Sequence, residues 1–204
     1  MPYTQFKNLG QVAQRFQWTV VYEKELFTGE PLTKASEYLT EEINLTLEQG
    51  LYKASEIAIG EQLIYPVLRE VWKRYIQQFL LWSHATFSVN EELTGIPDYL
   101  ITQRTNFAAE VLGPPVLVTI EAKKDNFEEG WGQCAAEMMA AQTINQTPNL
   151  PVFGVVSNGK LWEFAQLKNA VFTQYSSYID IMELDRLCSV LDAILKAQVI
   201  HPTN

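Results

Sequence analysis

The stretch Val116-Leu-Val-Thr-Ile-Glu-Ala-Lys123 constrains this chain more than any other. Its β-branched and apolar residues predict a strand, and Gly113-Pro114-Pro115 breaks the chain just before it. Side chains alternate across a strand, so Val118, Ile120 and Ala122 share one face while Thr119, Glu121 and Lys123 share the other. The first set suits a core. The second places an acid and an amine about one pleat repeat apart, where the apolar run ends.

The remaining patterns build a domain around that strand. Trp18–Tyr22 reads as a short strand, Thr28-Gly-Glu-Pro31 as a turn, and Thr40–Glu48 fits either a helix or a strand. From Ala54 to Leu81 the period is helical, with Ile57, Ile64, Leu68, Val71, Tyr75 and Phe79 on one face and a kink or a break expected near Tyr65 because of Pro66. Two strands are expected over His84–Val89 and Ile96–Thr102, separated by a turn at Asn90–Gly95. Trp131–Thr143 is rich in good helix formers. Leu150–Ser157 reads as a strand, Ser157-Asn158-Gly159 as a hairpin turn, Lys160–Leu167 as the returning strand and Ala170–Tyr175 as another. A helix closes the chain over Met182–Gln198, with Leu184, Leu187, Leu191 and Ile194 on one face. The order is helix, three strands, helix, strands, helix. It predicts an α/β fold with a central mixed β-sheet flanked by helices. Residues 1–50 are an N-terminal elaboration of one compact domain whose body is residues 51–204.

Composition limits the function classes. The 204 residues are 47% apolar and 19% charged, as in an ordinary globular protein. No apolar run approaches the roughly 18 residues that span a bilayer, and the segment from Met1 to Asn8 lacks a signal-peptide pattern, so a cytoplasmic protein off the membrane is expected. Cys134 and Cys188 are far apart with no CxxC spacing, which predicts two buried thiols rather than a zinc site or a disulfide. The net charge of −9 runs against phosphate binding, so nucleic-acid contact needs a local basic patch, a basic protein partner or a homodimer that pools its cations.

A hard divalent cation wants oxygen ligands, and one carboxylate is rarely enough. Asp98 is the natural second donor to Glu121. It follows Gly95-Ile96-Pro97, opens the apolar run Tyr99-Leu100-Ile101, and lies 23 residues before Glu121. Each motif alone is weak; their order and placement on neighbouring strands are more specific.

Pro97-Asp98 followed by Glu121-Ala122-Lys123 resembles the signature of the PD-(D/E)XK nuclease superfamily. Upstream, Ser55-Glu56 and Gly60-Glu61-Gln-Leu-Ile-Tyr-Pro-Val-Leu68 resemble the first-helix motif of its type I restriction-like branch. Glu56 matches that motif's spacing better and Glu61 is the alternative; five residues apart, they diverge by about 140° around a helix. Downstream, Gly130-Trp131-Gly132-Gln133 resembles the glutamine that follows the lysine in the same branch, and Val152–Phe164 resembles the closing strand pair. The resemblance covers residues 54–165. It implies a restriction-endonuclease-like fold with an αβββαβ core and metal-assisted phosphodiester hydrolysis, with DNA as the nucleic-acid partner. Asp98, Glu121 and the Ala122 carbonyl would hold Mg²⁺, with Mn²⁺ as a substitute. Lys123 would orient water or stabilise charge, Glu56 would bind the metal directly or through water, and Gln133 would position Lys123 or contact the nucleic-acid backbone. It also makes a homodimer plausible, since relatives pair to cut two strands.

Other residues invite function but read more simply as structure. His84 and His201 are the only histidines, and His84 is expected to be structural. Trp131, Met138 and Met139 follow core spacing. Lys73, Arg74 and Lys124 could touch phosphate or merely lie on the surface. Glu137 is one turn after Gln133 and shares its face, which puts the site within its reach. No Gly-rich phosphate loop, zinc motif or Ser/His/Asp set is present.

Overall fold

The computed structural model describes residues 2–26, 33–105 and 111–199; the turn expected at Thr28–Pro31 and His201 lie outside the described residues. A 3₁₀ turn at Tyr3–Gln5 leads into α1 (Leu9–Phe16), then β1 (Thr19–Glu23), α2 (Glu37–Gln49), α3 (Glu56–Ile59) and α4 (Tyr65–Trp72). Next come β2 (Phe79–Ser83), β3 (Phe87–Ser88), β4 (Thr94–Gly95), β5 (Tyr99–Gln103) and β6 (Val116–Ala122). The chain ends with α5 (Phe127–Asn145), β7 (Val152–Ser157), β8 (Leu161–Lys168), β9 (Val171–Asp180) and α6 (Leu184–Gln198).

Seven strands form one sheet in the order β1-β9-β8-β7-β6-β5-β2, while β3 and β4 make a separate small ladder. Only β1–β9 and β6–β7 are parallel, so the sheet is mixed and mostly antiparallel. Helices cover both faces. On one side Leu39 and Ile43 of α2, Val67 and Leu68 of α4, and Leu187 and Leu191 of α6 pack on Val118 and Ile120. On the other, the N-terminal Tyr3 and Phe6, Val12 of α1, and Trp131, Cys134 and Met138 of α5 form a second core with Leu100 and Phe172. Every residue of β6 is therefore buried, as a central strand covered on both faces must be. Among the described residues no helix is long and apolar enough to cross a membrane.

The α/β class holds, and several elements differ from their sequence reading. Residues 79–83 are strand β2, paired with β5, rather than the tail of a helix. The helix stops at Trp72 and a 3₁₀ turn over Lys73–Tyr75 follows, so Phe79 faces the core from a strand. Ile57 is 62% exposed, whereas Ile59 is buried. The cause is a π turn at Gly60–Ile64 between α3 and α4, whose i→i+5 bonds fit an extra residue into the turn and rotate α3 out of phase with α4. Pro66, at the start of α4, follows this turn, and the backbone stays helical through Ile64 and Tyr65, so the chain does not break there. The segment His84–Val89 contributes only Phe87–Ser88 as strand, and His84 itself is in a left-handed turn (φ 50°) after β2. The ambiguous segment near Thr40 is helix α2, capped by Ser36, whose Oγ accepts from Leu39 N at 3.2 Å.

The described part of residues 1–50 is woven into the same cores. β1 pairs with β9, and the backbone of residues 6–8 lies so close to α5 that a Cβ on Gly132 would meet Phe6 O at 2.5 Å. The hairpin turn at Ser157–Gly159 is formed as expected, with Asn158 Oδ1 accepting from Leu161 N at 2.8 Å. Cys134 and Cys188 are both free and buried, and burial pushes both thiols up to about 12.

Candidate active site

The register of the sheet sets one row of side chains on the α5 face. Tyr99 pairs with Ile120 across β5–β6, and Ser83 pairs with Tyr99 across β2–β5. One step further, His84, Asp98 and Glu121 stand in line, because facing residues share a side of the sheet. The parallel partner of Glu121 is Val156, and Val156 pairs with Glu163. Trp131 of α5 donates to Glu163 Oε2 at 2.6 Å, which pins the start of the helix over this row. Gly130 permits the approach: a Cβ there would meet Val156 Cγ1 at 2.7 Å and Lys123 Cγ at 2.9 Å.

Asp98, Glu121, Ala122 and Lys123 come together. Asp98 Oδ2 accepts from the Ala122 N–H at 2.7 Å, so its carboxylate sits beside the backbone between the acid and the lysine. Lys123 Nζ is 3.3 Å from Glu121 Oε2, an ion-pair distance without hydrogen-bond geometry. Exposure is graded: Glu121 is fully buried, the Lys123 side chain is 14% exposed and the Asp98 side chain 25%. The row therefore opens to solvent from Glu121 toward Asp98 and His84.

Burial sets the electrostatics. It raises the Asp98 carboxyl, against the Ala122 N–H, Lys123 and His84, which favour the anion. Glu121 is pushed up to about 7, first by burial and then by the nearby Asp98 charge. Burial would depress the Lys123 amine, but Glu121, Glu56 and Asp98 more than offset it, and the ammonium is stabilised.

Glu56 reaches the rim of this site. It is the first residue of α3, and its Oε1 accepts from Lys124 N at 3.1 Å. Among the described residues Glu61 makes no hydrogen bond or ion pair with Asp98, Glu121 or Lys123; the Tyr99 hydroxyl is raised by burial, then by Asp98 and Glu61. Gln133 lies on the buried side of α5 at 9% exposure, and among the described residues no hydrogen bond joins its side chain to Asp98, Glu121 or Lys123. Trp131 and Met138 are core and Met139 packs against it, as their spacing suggested. Arg74 is taken up on the opposite side of the sheet, with Nη1 4.0 Å from Asp192 Oδ1 of α6.

Two residues weigh more here than their sequence context indicated. His84 Nε2 is 3.5 Å from Asp98 Oδ1, its backbone N–H donates to Asp98 O at 2.9 Å, and Ser83 Oγ holds Nδ1 at 2.9 Å. Recognising Phe79–Ser83 as a strand would have placed His84 next to Asp98. Glu137 is fully buried, and burial followed by the Glu121 charge raises its carboxyl well above the usual glutamate range. Its i, i+4 relation to Gln133 was the available signal.

What this arrangement can hold follows from its donors. Asp98, Glu121 and the Ala122 carbonyl offer oxygens, and both Glu121 carboxylate oxygens are buried without a hydrogen-bond partner. Among the described residues no three His, Cys, Asp or Glu side chains form a group placed to hold a metal ion. Mg²⁺ keeps several waters and takes one or two protein carboxylates, so the Asp98–Glu121 pair is the fitting unit. Compared with protein-family models and with curated proteins, the chain matches none.

Proposed function

We propose that this chain is a metal-dependent nuclease of the PD-(D/E)XK superfamily that hydrolyses phosphodiester bonds in DNA, in a restriction or mobile-element setting. One observation carries the reading: the Asp98 carboxylate is tied to the Ala122 N–H, between Glu121 and a lysine 3.3 Å from that second acid. Supporting it, α3–α4, β2, β5, β6, α5 and β7 come in the order of an αβββαβ core, with the short β3–β4 ladder inserted after β2, and the four strands of that core are contiguous in the sheet. This supports a restriction-endonuclease-like fold.

Asp98 and Glu121, with the Ala122 carbonyl, would hold Mg²⁺ or Mn²⁺, which when bound polarises a phosphate and lowers the pKa of water. The protein's own groups do the rest. Lys123, held charged by three acids, stabilises charge developing on the phosphate and orients the attacking water. Asp98, more exposed than Glu121, is the acid of this pair that a substrate reaches first. Glu56 at the rim orders water beside Lys124 N. Gln133 would position Lys123 or contact the nucleic-acid backbone. Incubation of the purified protein with single- and double-stranded DNA and RNA tests the proposal. Cleavage that needs Mg²⁺ or Mn²⁺ and disappears in Asp98→Ala supports it, and no cleavage of any of these substrates counts against it.

The net charge of −9 favours a second reading, an inactive nuclease-fold subunit that binds a basic protein. Co-purification of such a partner, together with no metal binding at millimolar Mg²⁺, distinguishes it. Pairing of two copies to cut both strands is a corollary of the first reading and is checked by light scattering.

A further inference from the structure

We propose that Lys53 and Lys160 form a phosphate-binding patch that holds a DNA strand on its way into the acid row. The net charge of −9 requires any nucleic-acid contact to be local, and these two cations are gathered in one place. Lys53 Nζ is 5.8 Å and Lys160 Nζ 5.6 Å from the centre of the Tyr52 ring. Both are in cation–π range, so one ring gathers two ammonium groups that would otherwise repel. Tyr52 is 5% exposed and belongs to the core, whereas both lysines are exposed. The ring is a fixed platform and the charges stay open to solvent. Among the described residues neither lysine forms an ion pair with a carboxylate. The acids nearest to them in sequence are turned elsewhere. Glu56 Oε1 accepts from Lys124 N at 3.1 Å, and Glu163 Oε2 accepts from Trp131 at 2.6 Å. Two like charges held together and left unpaired suit a partner with closely spaced negative charge.

Chain connections tie the pair to the acid row. Lys53 is three residues before Glu56, which reaches Lys124 N. Lys160 is three residues after Ser157, whose carbonyl accepts from Lys123 N at 2.9 Å. Three residues span at most about 11 Å, so the backbone of each lysine lies within that length of a residue bonded to Lys123 or Lys124. At about 3.4 Å of axis per phosphate, one DNA strand covers that length in roughly three nucleotides. The turn that carries Lys160 is itself fixed. Lys160 N donates to Asn158 Oδ1 at 3.1 Å, and its carbonyl accepts from Ile181 N at 2.7 Å. That the strand leads to the acid row rests on the nuclease reading; phosphate binding by the two lysines does not.

Fluorescence anisotropy of a labelled DNA duplex tests the patch, read in EDTA from about 50 to 200 mM NaCl, where phosphate contacts show as salt dependence. Lys53→Gln, Lys160→Gln and the double variant are compared with wild type and with Lys168→Gln, with unfolding midpoints as a check on folding. Lys168 ends β8 and Lys160 immediately precedes its start, so this control lies at the opposite end of the sheet. The slope of log affinity against log salt is expected to shrink by about 1 in each single variant and about 2 in the double variant. Lys168→Gln is expected to match wild type. A double variant with wild-type affinity and slope would overturn the proposal, as would an equal loss in Lys168→Gln or a wild-type protein that binds no duplex. So would a labelled polyglutamate peptide whose binding depends on the two lysines while that of DNA does not; the patch would then serve an acidic protein. DNA binding with the expected slopes but no metal-dependent cleavage would remove the nuclease reading and leave the patch. Cleavage by a protein whose DNA binding is indifferent to both lysines would do the reverse.

Discussion

Alternate residues of β6 meet two different environments. Val118, Ile120 and Ala122 pack into the layer made by α2, α4 and α6, where the strand meets aliphatic and aromatic neighbours. Thr119 and Glu121 face α5, and there the buried set includes Gln133, Glu137 and Gln142. Among the described residues the two fully buried carboxyl groups, Glu121 and Glu137, both lie on this second side. Burying an Ile side chain contributes about 1.5–3 kcal/mol, whereas burying a carboxyl group costs free energy unless it is bonded. One face thus holds the strand in place and the other carries polar groups whose burial costs stability. The sheet couples them, since any shift of register by one residue would exchange the two faces.

The division can be broken from either side. The largest expected effect is on the acid face: Asp98→Ala or Lys123→Ala is expected to lower metal-dependent cleavage by about 10²–10³-fold or more, with an unchanged unfolding midpoint. Next comes the apolar face, where Ile120→Ala is expected to cost about 2–5 kcal/mol in urea unfolding while the folded fraction keeps its activity. A loss of activity per folded molecule equal to that of Asp98→Ala would erase the distinction.

The N-terminal cover comes third. Gly132→Ala puts a Cβ against the backbone of Phe6 and Asn8, at 2.5 Å from Phe6 O and 2.6 Å from Asn8 N, and is expected to destabilise by about 1–3 kcal/mol. Proteolysis that removes residues before Trp18 faster in this variant would show that the cover has lifted.

The smallest effect is on pH. Glu121 and Glu137 bind protons more tightly folded than unfolded, so between the ordinary glutamate range and about 7 the folded state holds more protons. Stability of the metal-free protein is therefore expected to be greatest below that range and to fall as pH rises through about 7. Replacing both residues by Gln should flatten the slope, and a wild-type slope of opposite sign would contradict the burial argument.

The two faces were also unequally legible in the sequence. Val118, Ile120 and Ala122 declared a core by alternation alone, and the helix face of Leu187, Leu191 and Ile194 was read from its period. Asp98 and Glu121 were found through order and spacing, because register follows from neighbouring apolar pairs. What could not be read was phase. The π turn at Gly60–Ile64 leaves no pattern distinct from an ordinary helix, so Ile57 was assigned inward. Phe79–Ser83 continued a helical spacing, and only pairing with β5 makes it a strand. That one misreading also hid the neighbour relation of His84 and Asp98. Glu137 was in view, but its full burial depends on the N-terminal segment and α1 closing over α5, a contact between residues far apart in sequence.

A crystal soaked in Mn²⁺ and measured for its anomalous signal addresses the acid row most directly. One peak within coordination distance of both the Asp98 and Glu121 carboxylates, lost in Asp98→Ala crystals, is the expected result. Saturating Mn²⁺ with no peak between those two side chains, or a peak that survives in Asp98→Ala, would contradict it.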